Sequence, residues 1–175
     1  MELAEKNNEK LSIVKSCENI SIVYSSQGNQ KEAIRYLLRA KGISEELKDT
    51  LSMSAVLGNL GAAYLHFPDS IHKAVEVYDR ALKLAEAQNN IYEIGNTMGG
   101  MSRAYLSIGD SAKSDLYMQR ALKIMDSLKI YYSYSQLILN YASMLNERGH
   151  YAKAEKLLLE ALAIFRNIGM AEGEK

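Results

Sequence analysis

Cysteine occurs once in the 175 residues, at position 17. A single thiol cannot close an intramolecular disulfide, so nothing points to an oxidising compartment. Proline also occurs once, at position 68, in a chain rich in Ala, Leu, Lys, Glu and Met, and that balance is the one a mostly helical protein carries. Neither sign of charge is in excess: 21 Lys and Arg stand against 21 Asp and Glu. A general affinity for nucleic acid or for an anionic membrane surface is therefore not expected. No run of about eighteen apolar residues suggests a membrane span. The opening MELAEKNNEK is too polar for a secretory signal. Together these absences make a cytoplasmic protein the expectation. The hydrophobic share of 47% is enough for one domain to bury a core without disulfides or metal.

What is present is periodic. Ala40, Ala81, Ala121 and Ala161 recur at spacings of 41, 40 and 40. Ala33, Ala74, Ser114 and Ala154 repeat at the same spacings seven residues earlier. Small residues mark the repeat because helix pairs pack closely only where a side chain leaves room for the neighbouring backbone. A third position reads Tyr24, Tyr64, Tyr105 and Leu145. Within 60 to 85, Leu60, Gly61 and Tyr64 form an L-G-x-x-Y run, which Ala74, Tyr78 and Ala81 continue as A-x3-Y-x2-A. That order resembles the tetratricopeptide repeat, a helix–turn–helix unit stacked into solenoids. The resemblance implies an all-α, right-handed superhelical solenoid of antiparallel helix pairs, with four repeats and about eight long helices.

The apolar spacing predicts first helices over 9–27, 50–66, 91–108 and 131–148, and second helices over 30–47, 70–88, 111–128 and 151–168. Short turns fall at Gly28-Asn29, Pro68-Asp69-Ser70, Gly109-Asp110 and Gly149-His150. Asn29 with Glu32 predicts a capping box, and Asp69 or Ser70 and Asp110 predict caps for the next helices. The whole chain, 1–175, reads as one solenoid domain with repeats at about 9–48, 49–89, 90–129 and 130–169 and a tail at 170–175. Residues 3–13 match 84–94 at the two-unit spacing, so 1–8 read as the end of a preceding repeat. Leu158, Leu162 and Phe165 lie on a last helix that expects a following neighbour, where a solenoid normally has a polar cap. The expectation is a fragment of a longer array.

The sequence departs from the common repeat in two respects. The usual period is 34 with a closing proline, whereas here it is 40 and the proline is missing. Without it the second helix can run on, so the added residues lengthen the helices. Longer units of this kind resemble those of kinesin light chain, of cell-polarity scaffolds with 40-residue repeats and of bacterial peptide-sensing regulators.

Catalytic constellations are not evident, and no enzyme, metal or cofactor is expected. Cys17 shares its repeat position with Leu57, Met98 and Ile138 and reads as core. His66, Asp69 and His72 cluster around a turn as solvated polar groups, and His150 reads as exposed or capping. Gly95, Gly99 and Gly100 weaken a helix by roughly 1 kcal/mol each relative to Ala. Two readings of them stand: close helix packing, or a floor left bare for a ligand backbone.

In the family the first helices line the concave face. Carrying that rule over gives one groove position that reads Asn19, Asn59, Gly100 and Asn140. The three asparagines resemble the ladder with which the 40-residue subclass holds an extended peptide. A carboxamide can donate to a peptide carbonyl and accept from a peptide N–H at once, so it grips backbone without asking for a sequence. Gly100 breaks the ladder, and Asn96 or Arg103, one turn away on either side, could fill the gap. Lys15, Ser143 and Glu147 complete the predicted peptide-binding set, with Glu18, Ile22, Ala62, His66, Leu106 and Asn146 as neighbours.

The expected function is a non-enzymatic scaffold holding a peptide or partner segment in its concave groove. One rival makes the chain the sensory part of a bacterial transcription regulator or signalling kinase. Another is self-assembly, with the helix at 151–168 docking on a second copy to form a homodimer.

Overall fold

The computed structural model describes the backbone of residues 2–173 and the side chains of residues 6–169. Eight α-helices occupy the described residues: α1 Glu2–Ser26, α2 Gln30–Leu47, α3 Thr50–Tyr64, α4 Ile71–Ala87, α5 Ile91–Ser107, α6 Ser111–Ser127, α7 Tyr131–Glu147 and α8 Tyr151–Gly173. One 3-10 turn, Pro68–Ser70, precedes α4. The chain is an all-α solenoid of antiparallel helix pairs.

The helix ends are closed locally. Asn29 Oδ1 accepts from the Glu32 N–H at 3.4 Å and Asp110 Oδ1 from the Lys113 N–H at 3.0 Å. Asp49 and Asn90 do the same for α3 and α5. The box expected at Asn29 is only half formed, because the Glu32 carboxylate turns to Arg35 at 2.6 Å. Neither Asp69 nor Ser70 caps α4 through its side chain. The reason is Pro68, which begins a 3-10 turn whose backbone bond, Ser70 N–H to Phe67 O at 2.8 Å, takes over the entry to the helix.

At the other ends, Gly28, Gly109 and Gly149 adopt φ of 76°, 84° and 76° inside the pairs, while Lys48, Asn89 and Lys129 adopt 53°, 52° and 53° between them. After each, the next N–H returns to a carbonyl five residues earlier, as in Asp110 N–H to Tyr105 O at 2.9 Å and Asn90 N–H to Ala85 O at 3.0 Å. Asn8, two units before Asn89, stays helical instead, and α1 runs unbroken from Glu2. A left-handed residue with a β-carbon is strained and persists only where packing holds it. Residues 6–9 are exposed and supply no such packing.

The small residues form the spine. Ala33, Ala40, Ala74, Ala81, Ser114, Ala121, Ala154 and Ala161 are all buried, and Leu37, Leu57, Leu60, Met118, Ile138 and Leu145 pack among them. Ser114 is the one hydroxyl in that spine, and it meets Ser102 at 3.2 Å inside the core. Cys17 is 3% exposed and packs with Val14, Leu37 and Leu60, as its repeat position predicts. Tyr24 stacks on Tyr36 and Tyr105 on Tyr117, at 5.7 and 5.4 Å between ring centres. Between α6 and the end of α7, Arg148 grips Asp115 with both terminal nitrogens, at 2.7 and 3.1 Å, and Tyr141 Oη donates to the same carboxylate. The Arg148 guanidinium holds the Asp115 carboxyl below its usual range.

Each helix packs on the next in sequence, and α3 also meets α1 on one side and α5 on the other, as α5 meets α7. The first helices of the pairs therefore form one continuous inner wall, with α5 standing between α3 and α7.

Candidate functional site

The inner wall carries a concave cavity of about 610 Å³. Asn59 and His66 enter it from α3 and its following turn, Asn96, Gly100 and Arg103 from α5, and Gln136 and Asn140 from α7. These side chains converge because residues four apart on one helix share a face, so Asn96 and Gly100, or Gln136 and Asn140, stack along the wall.

Four of the eight predicted residues meet here: Asn59, Asn96, Arg103 and Asn140. The other four do not line this cavity. Asn19 and Lys15 are exposed on α1. Ser143 lines a separate, largely apolar concavity between α7 and α8, with Leu139, Ala142, Leu158 and Leu162. Glu147 lies 3.4 Å from the Ser143 hydroxyl. Ala62, Arg103 and Ser143 share one repeat position, yet Ala62 and Arg103 line the central cavity while Ser143 lines the concavity between α7 and α8.

Several lining groups were not anticipated. Gln136 is in phase with Asn96 at the 40-residue spacing, so a second polar row runs beside the first. Thr97 is buried in the same wall, and its hydroxyl has no hydrogen-bond partner among the described residues. Tyr78 arrives from α4, a second helix, and its signal was the pair of glycines that make room for it. A β-carbon at Gly61 would stand 2.8 Å from the Tyr78 ring, and one at Gly100 would stand 2.5 Å from its hydroxyl oxygen. The remaining glycines answer the question the sequence left open in favour of packing. A β-carbon at Gly95 would meet Met125 and Ile124, and one at Gly99 would meet Leu137.

Acid gathers at one end of the wall. Glu93 lines the cavity, and burial raises its pKa. Glu18, on α1, is pushed up to about 7, first by burial and then by the charges of Glu93 and Asp49, with Lys15 acting against them. A carboxyl that holds its proton more tightly when folded favours the native state at low pH. That contribution is complete below the ordinary 4.5 and is lost as pH rises through 7. Thermal unfolding at pH 5 and pH 8 should therefore show a loss on alkalinisation that Glu18→Gln reduces by about 1 kcal/mol, a figure discounted for solvent screening. Identical pH dependence in the two proteins would remove Glu18 as its source.

Among the described residues no group of three or more His, Cys, Asp and Glu is placed to hold a metal ion, and no helix is long and apolar enough to cross a membrane.

The sequence model of the tetratricopeptide repeat matches residues 14–47 and 137–168. No curated protein sequence matches the chain. Among solved structures it is similar to BtubC (BKLC) from P. vanneervenii, with a TM-score of 0.70 and 18% identity over 89% of this chain and 64% of that one. It is similar also to aspartyl phosphate phosphatase F from Bacillus subtilis, with a TM-score of 0.75 and 16% identity over 91% of this chain and 42% of that one. A third is a signal transduction ATPase with a tetratricopeptide repeat sensor from Pyrococcus horikoshii, at 0.66 and 20% over 90% of this chain and 25% of that one. At these identities the likeness is one of fold, and the chain spans between a quarter and two thirds of the length of these three structures. The matched segments and the helix-pair geometry are both similar to those of tetratricopeptide repeats.

Proposed function

We propose that the chain is a binding scaffold that holds an extended peptide, or an extended segment of a partner protein, against its inner wall. The observation that carries this reading is the convergence of Asn59, Asn96 and Asn140 on one concave cavity, from three consecutive first helices. Their carboxamides can pair with the N–H and C=O groups of an extended chain, giving affinity without dependence on side-chain sequence. Arg103 and Glu93 add one charge of each sign, which bears on register and selectivity more than on raw affinity. The same grip would serve a sensor segment, whose output would then lie elsewhere in a longer protein.

A displayed library of random dodecapeptides with blocked ends tests the reading. Peptides selected on the wild-type chain should bind the Asn59→Ala/Asn140→Ala double variant about tenfold or more weakly, given a net loss of about 0.5–1.5 kcal/mol per hydrogen bond. Circular dichroism would first establish that both proteins are equally helical. A library that yields no binder, or selected peptides that bind both proteins alike, would refute the groove as the binding face.

A further inference from the structure

The middle rung of the inner wall has no carboxamide, and a side chain from behind the wall reaches into its place. Tyr78 is 3% exposed, lies between Gly61 of α3 and Gly100 of α5, and lines the same cavity as Asn59, Arg103 and Asn140. Its hydroxyl oxygen sits 2.5 Å from where a side chain at position 100 would begin. That hydroxyl is not among the fully buried polar atoms left without a partner, and its residue lines the cavity, so it is placed to meet a ligand there.

The chain itself supplies the comparison. Each ladder position lies 22 residues after a second-helix residue that packs behind the wall: Leu37 precedes Asn59, Tyr78 precedes Gly100, and Met118 precedes Asn140. Where the residue behind is Leu or Met, the rung is asparagine. Where it is tyrosine, the rung is glycine. A phenol is longer than either aliphatic side chain and carries a polar tip, so packing alone would be served by leucine, methionine or phenylalanine at this site. The exchange of both partners together keeps a hydrogen-bonding group on the wall while moving its origin from α5 to α4.

We propose that the Tyr78 hydroxyl is the middle rung of the groove, donating a hydrogen bond to a main-chain carbonyl of the extended peptide held by Asn59 and Asn140. The proposal rests on the peptide-binding reading above and assigns it one further binding residue. Burial raises the Tyr78 pKa above its ordinary value of 10, against a smaller opposing effect of the Arg103 charge, so the phenol stays a donor at neutral pH. Arg103, also bordering this rung, brings further donors to the same ligand oxygen.

Tyr78→Phe removes one oxygen and keeps the ring between its glycines. Titrated with a peptide selected on the wild-type chain, it should bind about three- to tenfold more weakly, the net effect of one hydrogen bond. A series of the same peptide, each with one backbone amide replaced by an ester, gives the second readout, since an ester carbonyl is the weaker acceptor. One ester position should abolish most of the difference between wild type and Tyr78→Phe. Full-strength binding by Tyr78→Phe, beside a weakened Asn59→Ala/Asn140→Ala, would overturn the proposal and leave the groove intact. A weakened Tyr78→Phe with the same deficit at every ester position would also overturn it, because the loss would then be structural. If the asparagine variant binds as wild type does, the groove reading falls and the proposal with it.

Discussion

Gly100→Asn, the substitution that would complete the asparagine ladder, is expected to destabilise the protein and to bring no gain in peptide affinity. The β-carbon it adds would lie against the Tyr78 ring and 2.5 Å from the hydroxyl oxygen. That ring is also packed close against Gly61, where a β-carbon would stand 2.8 Å from it. Overpacking of a filled site costs about 1–3 kcal/mol. Replacing a mid-helix glycine by asparagine returns only about 0.3 kcal/mol of helix propensity. The thermal midpoint should fall by about 2–10 °C for a chain of this size, read by circular dichroism. Adding Tyr78→Met restores the pairing found at Met118 and Asn140, so the double variant should lose less than the sum of the two single losses. A Gly100→Asn protein as stable as wild type would show that the ring is not pinned.

Leu57→Ala should have a larger effect. Leu57 has no exposed surface and packs with Met53 and Ala81, beside the partly buried Val77 and Leu84. Its neighbours come from α3 and α4, two helices already held at closest approach by Ala74 and Ala81, so they cannot move inward to fill the space. Truncation at such a site costs about 2–5 kcal/mol. That corresponds to a fall of about 4–20 °C in the thermal midpoint, measured under the same conditions. A loss below about 1 kcal/mol would mean that the pair collapses around the smaller side chain. Contacts along the solenoid are confined to near neighbours, so hydrogen exchange should rise most in α3 and α4 and least in α7 and α8.

The helix pairs were legible because close approach of two backbones demands small residues, and small residues at a constant period survive in the sequence as a ruler. Ala40, Ala81, Ala121 and Ala161 are all buried, and the observed helices begin and end within about two residues of the predicted bounds except at the two ends of the chain. Caps were legible where one side chain decides them, as at Asn29 and Asp110. They were not at Asp69 and Ser70, where a proline changes the backbone before any side chain can act.

The wall was legible only in part. Its residues can be placed by phase, but phase says which way a side chain leaves its helix and not which elements stand beside it. Ala62 and Arg103 line the central cavity, whereas Ser143, at the same repeat position, lines the concavity between α7 and α8. Asn19 keeps the phase of Asn59 and Asn140 on α1, outside the cavity those two share. Tyr78 was missed because the first helices alone were read as the lining, and a residue from α4 reaches the wall only through the gap that Gly61 and Gly100 leave.

The bare face of α5 has a metrical consequence. Asn59 and Asn140 lie on helices with α5 between them, so the interval between those two carboxamides is gauged by the thickness of that one helix and its contacts on either side. Gly99 takes the Leu137 side chain of α7 against its backbone, and Gly100 faces the cavity without a side chain of its own. An extended chain repeats its carbonyls at a fixed step of about 3.3 Å per residue. For the extended ligand proposed above, the glycines of α5 would thus calibrate the spacing of the outer rungs against that step and set which of its residues fall opposite each asparagine.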